Sequence, residues 1–244
     1  MPGQAAAGKS SRGARAPRAP ARRRAGRACL CETDLTERAL ALVERDGFEA
    51  LTMRALAKEL GVEAMSLYSH VESKEVLLGR MGAFVMESVP EPPRGLAPRT
   101  RLFRLAQGLR GAARRYPRSF PIAVLHPQVL ASAVRPTEVA LQAFLDAGLP
   151  DARAMRSQRV FLSFVRGYVL WELGGFAVGT RDPDGRPSAR VLAEIEQLDA
   201  ERYPQVRRLA PRLAQVSGTE LFEEGLRLIL DSLLPRARAG KGRA

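Results

Sequence analysis

The stretch DGFEALTMRALAKELGVEAMSLYSHVESKEVLL, residues 46–78, decides the fold because it holds two short helical patterns joined by a tight glycine turn. Thr52 can cap the first helix and Gly61 can end it, since a threonine oxygen accepts a free helical N–H and glycine tolerates a left-handed backbone. The apolar residues of that helix share one face: Leu56, Ala57 and Leu60. After about two residues the second helix begins, and Ser73 can cap a further one. This layout predicts a helix-turn-helix unit.

Another helix precedes this unit. Residues 33–47, TDLTERALALVERDG, carry one apolar stripe that ends at Gly47. The stripe consists of Leu35, Ala39, Leu42 and Val43. We therefore expect a three-helix domain over residues 31–78, closed by the start of a fourth helix. The apolar residues that open the fourth helix are expected to turn inward: Val76, Leu77 and Leu78.

The second helix of the pair has a polar outer face at about 100° per residue. Its inward positions are apolar: Ala64, Leu67 and Val71. Its outward positions are Met65, Ser66 and Ser69. A DNA-reading helix needs small groups near base edges and hydrogen-bonding groups beside the phosphates. Geometry alone leaves two interpretations of the flanks open: Tyr68 and His70 contact phosphates, or Tyr68 packs against the fold and His70 is a solvated surface residue.

The whole stretch resembles the tetracycline-repressor (TetR) family of DNA-binding regulators, without a gap over about fifty residues. The shared motifs are LT, LA..LGV, LY.H and K..LL, at 51–52, 56–62, 67–70 and 74–78. The resemblance implies base contacts from Arg54, Met65, Ser66 and Ser69. It implies contacts to the DNA backbone from Thr52, Tyr68, His70 and Lys74. Ser69 departs from the bulky aromatic residue or arginine often found at its position, so no operator sequence is implied.

A longer helical region follows the proline-rich break PEPPRGLAP at residues 90–98. Residues 99–116 predict one helix that Pro117 ends. The prolines that follow predict short, irregular pieces rather than one straight helix. Thr137 is expected to cap the next helix.

Two long apolar helices complete the region. Residues 151–179 are apolar nearly all round, so we expect this helix to be buried on every side. Residues 219–235 form an amphipathic pattern with Phe222, Leu226, Ile229 and Leu233 in register. Because no strand periodicity appears, the predicted fold is all-α. The family resemblance implies that residues 79–236 form a C-terminal ligand-binding and dimerisation domain.

The C-terminal half also resembles the tetracycline-repressor subgroup, more weakly. The shared segments are RPTE at 135–138, LQAFLDAGL at 141–149 and the pattern of the last helix. The resemblance implies that the last two long helices pair with their twins in a four-helix dimer bundle, with Leu226 and Ile229 at the seam. The alternative, that these helices form intrachain core, stays open.

The C-terminal domain is expected to enclose a small molecule. Its proposed lining is aromatic with few polar anchors: Phe103, Tyr116, His126, Phe144, Phe161, Phe164, Tyr168 and Trp171. Such a lining suits a largely apolar, polycyclic effector, although each ring could instead be plain core. The chain has only two histidines, and His70 belongs to the reading helix. The histidine-assisted magnesium–tetracycline site of the subgroup therefore cannot form by the same means, and neither metal nor cofactor is predicted.

Composition narrows the class of protein. The chain has 244 residues, 45% of them hydrophobic, and no apolar run approaches the roughly 18 residues of a membrane span. Of the formal charge of +13, residues 1–28 hold eight basic residues and no acid, which leaves +5 for the remainder. A basic surplus favours a polyanionic partner. Residues 1–30 are predicted to be a disordered basic tail, and residues 237–244 a basic C-terminal tail.

Other functions fit less well. The segment GQAAAGKS at 3–10 has P-loop spacing but neither a preceding strand nor a following helix. Ser69 and His70 are adjacent and cannot form a nucleophile–base pair on one helix, and the sequence has no G-x-S-x-G or H-E-x-x-H motif. Cys29 and Cys31 are too few for a zinc site and too close to staple a fold, so we expect reduced thiols in the cytoplasm. An enzyme is not predicted.

These features together predict a homodimeric transcription regulator that binds double-stranded DNA at a palindromic operator. The favoured interpretation is a repressor that a small, largely apolar molecule releases from DNA. The alternative is a nucleoid-type protein that binds DNA non-specifically through its basic arm. Deleting residues 1–28 separates the two, because only the repressor keeps sequence-specific binding without the arm.

Overall fold

The computed structural model describes residues 31–125, 130–174, 188–213, 215 and 217–235. These residues form eleven α-helices and one short 3-10 helix, and no strand occurs among them. The all-α prediction is therefore confirmed. None of the helices in these ranges is long and apolar enough to cross a membrane.

The first helix, α1 (Glu32–Asp46), begins with a reciprocal cap. The Cys31 sulfur accepts a hydrogen bond from the Asp34 backbone N–H at 3.3 Å, and the Asp34 carboxylate accepts one from the Cys31 N–H. The predicted stripe is buried: Leu35, Ala39, Leu42 and Val43. The helix ends at Gly47, whose φ of 94° favours glycine because a Cβ is strained there.

The helix-turn-helix pair follows the short 3-10 helix Phe48–Ala50. In α2 (Met53–Leu60), the Thr52 hydroxyl accepts from the Ala55 N–H at 3.1 Å, and Gly61 ends the helix with a left-handed φ of 67°. The second helix, α3 (Ala64–Leu67), is only four residues long. Both predicted signals that delimit α2 are confirmed.

The fourth helix, α4 (Lys74–Glu87), joins the first three to the rest of the molecule. Ser73 caps it, accepting from the Val76 N–H at 3.2 Å. Leu77 and Leu78 are buried as expected, but the inward orientation predicted for Val76 is wrong, because 37% of its surface is exposed. Val76 lies in the first turn, on the outer side of a helix whose inner side faces α1.

The middle of the chain forms a layered helical core. It contains α5 (Pro98–Arg115), α6 (Phe120–Leu125), α7 (Leu130–Asp146) and α8 (Asp151–Glu172). The main packing partners are α4 with α6 and α7, and α7 with α5 and α8. The predicted end of α5 before Pro117 is confirmed, since the helix stops at Arg115.

The prediction of short pieces across the prolines holds for α6, which has six residues, but the helix predicted to begin with a cap at Thr137 is wrong. Helix α7 starts at Leu130 and continues through Pro136, so Thr137 lies inside it. A proline removes one backbone donor from a helix but leaves the remaining bonds possible. Buried residues on the same helix, Ala140 and Phe144 among them, anchor it against its neighbours and offset that loss.

The last helices are α9 (Ala189–Glu196), α10 (Pro204–Leu213) and α11 (Gly218–Leu233). Helices α9 and α10 pack on each other, whereas α11 packs on α8. Gly225 makes the α8–α11 contact close, because a Cβ there would lie 2.8 Å from the Phe164 ring.

Burial in the single chain bears on two expectations about α8 and α11. The chain itself does not bury α8 on every side, since Met155, Val160 and Trp171 are exposed, so full burial of α8 stays a prediction that requires a partner. On α11, Leu226 is fully buried in the chain's own core, so its assignment to a dimer seam is wrong. Leu228, two residues away, has 66% of its surface exposed. Ile229 is half-buried.

Candidate DNA-reading surface and helical core

Helix α3, called the reading helix together with the turn that follows it to His70, exposes the residues that were predicted to point outward. Met65 has 76% of its surface exposed, and Ser66 and Ser69 are exposed beside it. The Ser69 hydroxyl donates to the Ser66 carbonyl at 2.7 Å, which leaves its oxygen available as an acceptor. Beneath them Leu67 is fully buried and anchors the helix in the core.

The flanks of the reading helix carry Tyr68 and His70 in a tight turn that follows α3. Tyr68 has 45% of its surface exposed, so it is not a core residue, and His70 is half-buried. The backbone of the turn is bonded at both positions, Tyr68 N–H to the Met65 carbonyl and His70 N–H to the Leu67 carbonyl. The His70 carbonyl accepts a hydrogen bond from Arg80 on α4.

The remaining predicted DNA contacts lie at the two helix N-termini beside α3. Thr52 and Arg54 are exposed at the start of α2, and Lys74 is half-buried at the start of α4. The Lys74 ammonium lies 5.1 Å from the centroid of the Phe48 ring. A cation over a ring face is attracted by the ring's quadrupole, so Phe48 holds Lys74 in one region of space.

Phe48 and Arg80 are neighbours of this surface that sequence reasoning missed. Phe48 belongs to a short 3-10 helix that carries no periodicity, and only its exposed aromatic ring sets it apart. Arg80 is a charged residue inside a helix whose neighbouring positions Leu77, Leu78 and Met81 are buried. The sequence feature that could have identified Arg80 is a single arginine within an apolar segment. Because part of its stem is buried, its N–H groups need partners within the protein.

The proposed ligand-lining residues fall into separate groups rather than one lining. Phe144 and Phe161 are fully buried and meet edge to face, with ring centroids 6.1 Å apart. Tyr116 meets Phe84 of α4 in the same way at 6.3 Å. Phe103 is half-buried on α5. His126 lies outside the described residues.

A larger aromatic cluster joins α8 to α11. It comprises Phe164, Tyr168, Trp171 and Phe222, with neighbouring ring centroids 5.1–6.3 Å apart. The Tyr168 hydroxyl donates to the Gly218 carbonyl at 2.8 Å, which ties the cluster to the start of α11. Phe222 was predicted only as part of the apolar register of its helix, because sequence spacing does not reveal ring partners on another helix.

A buried ion pair lies beside this cluster. The Arg110 guanidinium donates to Glu172 through Nε at 2.7 Å and Nη2 at 2.5 Å, and Arg114 donates to the same carboxylate at 2.9 Å. Arg110 also stacks over the Phe222 ring at 5.0 Å. Burial raises the pKa of Glu172, but the hydrogen bonds from the two arginines outweigh it and hold that pKa below its usual value.

An open groove of about 530 Å³ lies outside these clusters, between the proline-rich linker and α5. Its lining includes two glycines, Gly108 and Gly111, and two arginines, Arg104 and Arg115. Of the proposed ligand-lining residues, the seven that the structure describes do not border this groove. In the described ranges no three His, Cys, Asp or Glu side chains converge on a point where a metal ion could bind.

A group of three hydrogen bonds joins the reading unit, residues 31–78, to the helical core. The Glu44 carboxylate, near the end of α1, accepts from the Ser119 N–H at 2.8 Å and from the Arg118 N–H at 3.2 Å. In return the Arg118 guanidinium donates to the Arg45 carbonyl at 2.6 Å. The start of α6 is therefore fastened to the end of α1.

A capped helix-turn-helix unit that exposes the outer face of its second helix, followed by an all-helical core, defines a helix-turn-helix regulator. The profile described as "Tetracyclin repressor-like, C-terminal domain" matches residues 89–236, and "Bacterial regulatory proteins, tetR family" matches residues 35–81. The chain belongs to the TetR family of bacterial transcription regulators. The predicted family is thereby confirmed.

Several known proteins resemble the chain over most of its length. An uncharacterized HTH-type transcriptional regulator of Mycobacterium tuberculosis is 28% identical over 178 residues, which are 66% of this chain and 82% of that protein. The crystal structure of a possible TetR family regulator of Streptomyces coelicolor A3(2) has a TM-score of 0.68 at 27% identity, covering 83% and 98% of the two chains. That of Streptomyces coelicolor ActR in complex with (S)-DNPA has a TM-score of 0.64 at 25% identity, covering 84% and 96%.

Proposed function

We propose that this protein is a homodimeric, cytoplasmic repressor that binds a palindromic double-stranded DNA operator. In this proposal residues 31–78 read the DNA, and residues 79–236 form the dimer and bind the effector. The observation that carries it is the exposed face of Met65, Ser66 and Ser69 on a helix anchored by buried Leu67. Small groups of this kind can approach base edges in a major groove, and Tyr68 on the flank can reach a phosphate.

The dimer is supported by apolar surface that the single chain leaves uncovered. Met155, Val160 and Trp171 on α8 and Leu228 on α11 are exposed, and these helices pack on each other. Val160 and Trp171 lie on the same side of α8 at about 100° per residue, and an exposed apolar side of this kind marks protein contacts. A two-fold dimer would present two reading helices to half-sites about 34–36 Å apart, one turn of DNA.

The effector is proposed to be a small, largely apolar molecule that binds in the helical core. The aromatic residues of α8 support an apolar ligand, and the related ActR was crystallised with the small molecule (S)-DNPA. Such a ligand lowers DNA affinity by binding more tightly to the conformation that does not fit the operator. The Glu44 contact with the start of α6 offers a route by which core movement reaches the reading unit.

Selection of bound duplexes from a random DNA pool tests the proposal. The wild-type protein is expected to enrich one inverted repeat, and a variant lacking residues 1–28 should enrich the same repeat. Loss of all binding on deletion would instead favour the nucleoid-type alternative. Failure of both proteins to enrich any sequence would contradict sequence-specific recognition.

A further inference from the structure

One side chain ties the backbone behind the reading helix to two other helices. Arg80 lies in the second turn of α4, and its side chain is 31% exposed. Its Nη1 donates to the His70 carbonyl at 2.8 Å. Its Nη2 lies 3.1 Å from the Glu32 carboxylate in the first turn of α1. The two terminal nitrogens of Arg80 therefore point to partners inside the protein.

The His70 carbonyl lies at the end of the turn that follows α3. Carbonyls in the last turn of a helix have no intrahelical donor, so they require a partner from elsewhere. Arginine serves this purpose well, because its positive charge also suits the negative end of the helical segment. The turn that Arg80 caps carries Tyr68, Ser69 and His70.

We propose that Arg80 is a positioning residue for DNA reading, which holds the turn after α3 in its DNA-binding conformation without touching the DNA. The proposal rests on the proposed function, because it assigns Arg80 its role through Tyr68 and His70. A hydrogen bond to a charged donor is stronger than a neutral one, so its loss frees the turn. Binding to the operator then requires the turn to be ordered again.

The expected signature differs from that of a phosphate contact. Each lost phosphate contact lowers the salt slope of binding by about 0.9, whereas a lost internal bond leaves the slope unchanged. A misplaced turn weakens binding to the operator far more than binding to random DNA. Operator binding requires the correct register of side chains and bases, whereas random DNA is bound mainly through charge.

The test compares Arg80→Met with wild type on two probes, a duplex selected from the random pool and a scrambled duplex of the same composition. Methionine keeps an apolar stem and removes the donors. Arg80→Met is expected to bind the selected duplex about 10-fold more weakly and the scrambled one within about 2-fold, with an unchanged salt slope. Arg38→Met is the matched control, since it removes the same charge from an exposed position of α1, and it should leave both affinities within about 2-fold.

A double-mutant cycle with Tyr68→Phe gives a readout that a general loss of stability does not move. If Arg80 acts through the turn, Arg80→Met already misplaces the Tyr68 hydroxyl, so adding Tyr68→Phe should weaken selected-duplex binding by less than it does in the wild type. Thermal melting checks that each variant is folded at the assay temperature. If Arg80→Met is unfolded there, Arg80→Gln takes its place under the same criteria.

Three results would overturn the proposal: an affinity unchanged from wild type, an equal loss on both duplexes with a flatter salt slope, or strict additivity with Tyr68→Phe. The second result would make Arg80 a direct phosphate contact. A wild-type protein that does not distinguish the two duplexes would instead contradict the proposed function itself, so the two failures can be told apart.

Discussion

The reading unit and the helical core differ in how far apart along the chain their hydrogen-bonded residues lie. In the reading unit the helix caps span three residues, as between Ser73 and the Val76 N–H, and the Arg80 bond to the His70 carbonyl spans ten. In the core hydrogen bonds span dozens, and Arg110 meets Glu172 across 62 residues. The helices of the reading unit are therefore delimited by local caps and turns and tied together by a few longer contacts, whereas the core depends on the complete fold.

This difference predicts different responses to substitution. A change in the core is expected to alter the free energy of unfolding of the whole chain, because its partners come from distant segments. A change on the reading surface is expected to alter DNA binding and leave the fold intact, since its exposed side chains carry little packing energy.

The largest expected effect is a difference in stability between substitutions of two leucines of α11 that lie two positions apart. Leu226 is fully buried and Leu228 is 66% exposed. Leu226→Asp should lower the free energy of unfolding by about 5 kcal/mol, because it creates a cavity and buries a carboxylate. Leu228→Asp should lower the melting temperature much less, and only by the stabilisation that dimer formation supplies. Circular dichroism melting measures both.

The same pair sharpens the dimer proposal. If Leu228 lies in the dimer interface, Leu228→Asp should sediment as a folded monomer at micromolar concentration. A wild-type protein that is itself monomeric there would contradict the proposed assembly. Equal melting temperatures for the two aspartate variants would contradict the division of α11 into a buried and an exposed side.

The second effect concerns the buried ion pair. Glu172→Ala leaves Arg110 buried without its carboxylate and should cost about 3–5 kcal/mol in the free energy of unfolding. Glu194→Ala is the matched control, because it removes a carboxylate that pairs with Arg190 on the exposed surface of α9. Chemical denaturation should show little change for this control.

The pH dependence of this effect has a definite sign. The pKa of Glu172 is lower in the folded chain than its usual value. The stabilisation from its ionised form is therefore complete above the unfolded-state pKa and is lost as the pH falls through the folded-state value. Glu172→Gln should flatten the acid limb of stability against pH, and an unchanged acid limb would contradict this role.

The sequence predicts the local features of this structure, such as helix caps, better than the packing between distant segments. Thr52, Gly61 and Ser73 are each recognisable from residue type and neighbours, and all three act at the predicted positions. The course of the chain through Pro136 was not predictable, because packing of distant helices against α7 outweighs the local preference of proline.

The candidate sites show the same limit. The exposure of Met65 and Ser66 follows from helical period and is as expected, whereas the aromatic residues of the core could be identified by type but not grouped. Their grouping depends on which helices meet. A period of 3.6 residues indicates which side of a helix is apolar, yet it does not say which helix covers that side.

The third effect concerns base reading. Arg54→Ala should weaken binding to the selected duplex by about 1–3 kcal/mol and relax the preference at one base position, while scrambled DNA is affected much less. Ser66→Ala is expected to act in the same direction. Competition binding with single-base variants of the selected duplex measures the preference. Equal losses on selected and scrambled DNA would assign Arg54 to the phosphates instead.

A smaller effect is expected for the residues that we propose to contact the DNA backbone. Lys74→Ala should weaken binding to all sequences alike and flatten the salt slope by about 0.9. Phe48→Leu keeps the lysine but removes the ring beneath it, so it should weaken binding less and leave the slope nearly unchanged. Titrations at several salt concentrations distinguish them. An effect of Phe48→Leu as large as that of Lys74→Ala would indicate a wider role for the ring in the fold.

The smallest expected effect is no response at all, to tetracycline with magnesium. The chain contains two histidines, His70 at the reading surface and His126, so a drug chelate held by several imidazoles lacks its protein partners. Trp171 is the only tryptophan, is 42% exposed and lies 5.5 Å from the Tyr168 ring, so its fluorescence reports on the aromatic cluster. Titration should leave this fluorescence and the affinity for the selected duplex unchanged, whereas an apolar polycyclic ligand that binds the core should change both. Release of DNA by micromolar tetracycline only when magnesium is present would show that the core holds the chelate through other groups.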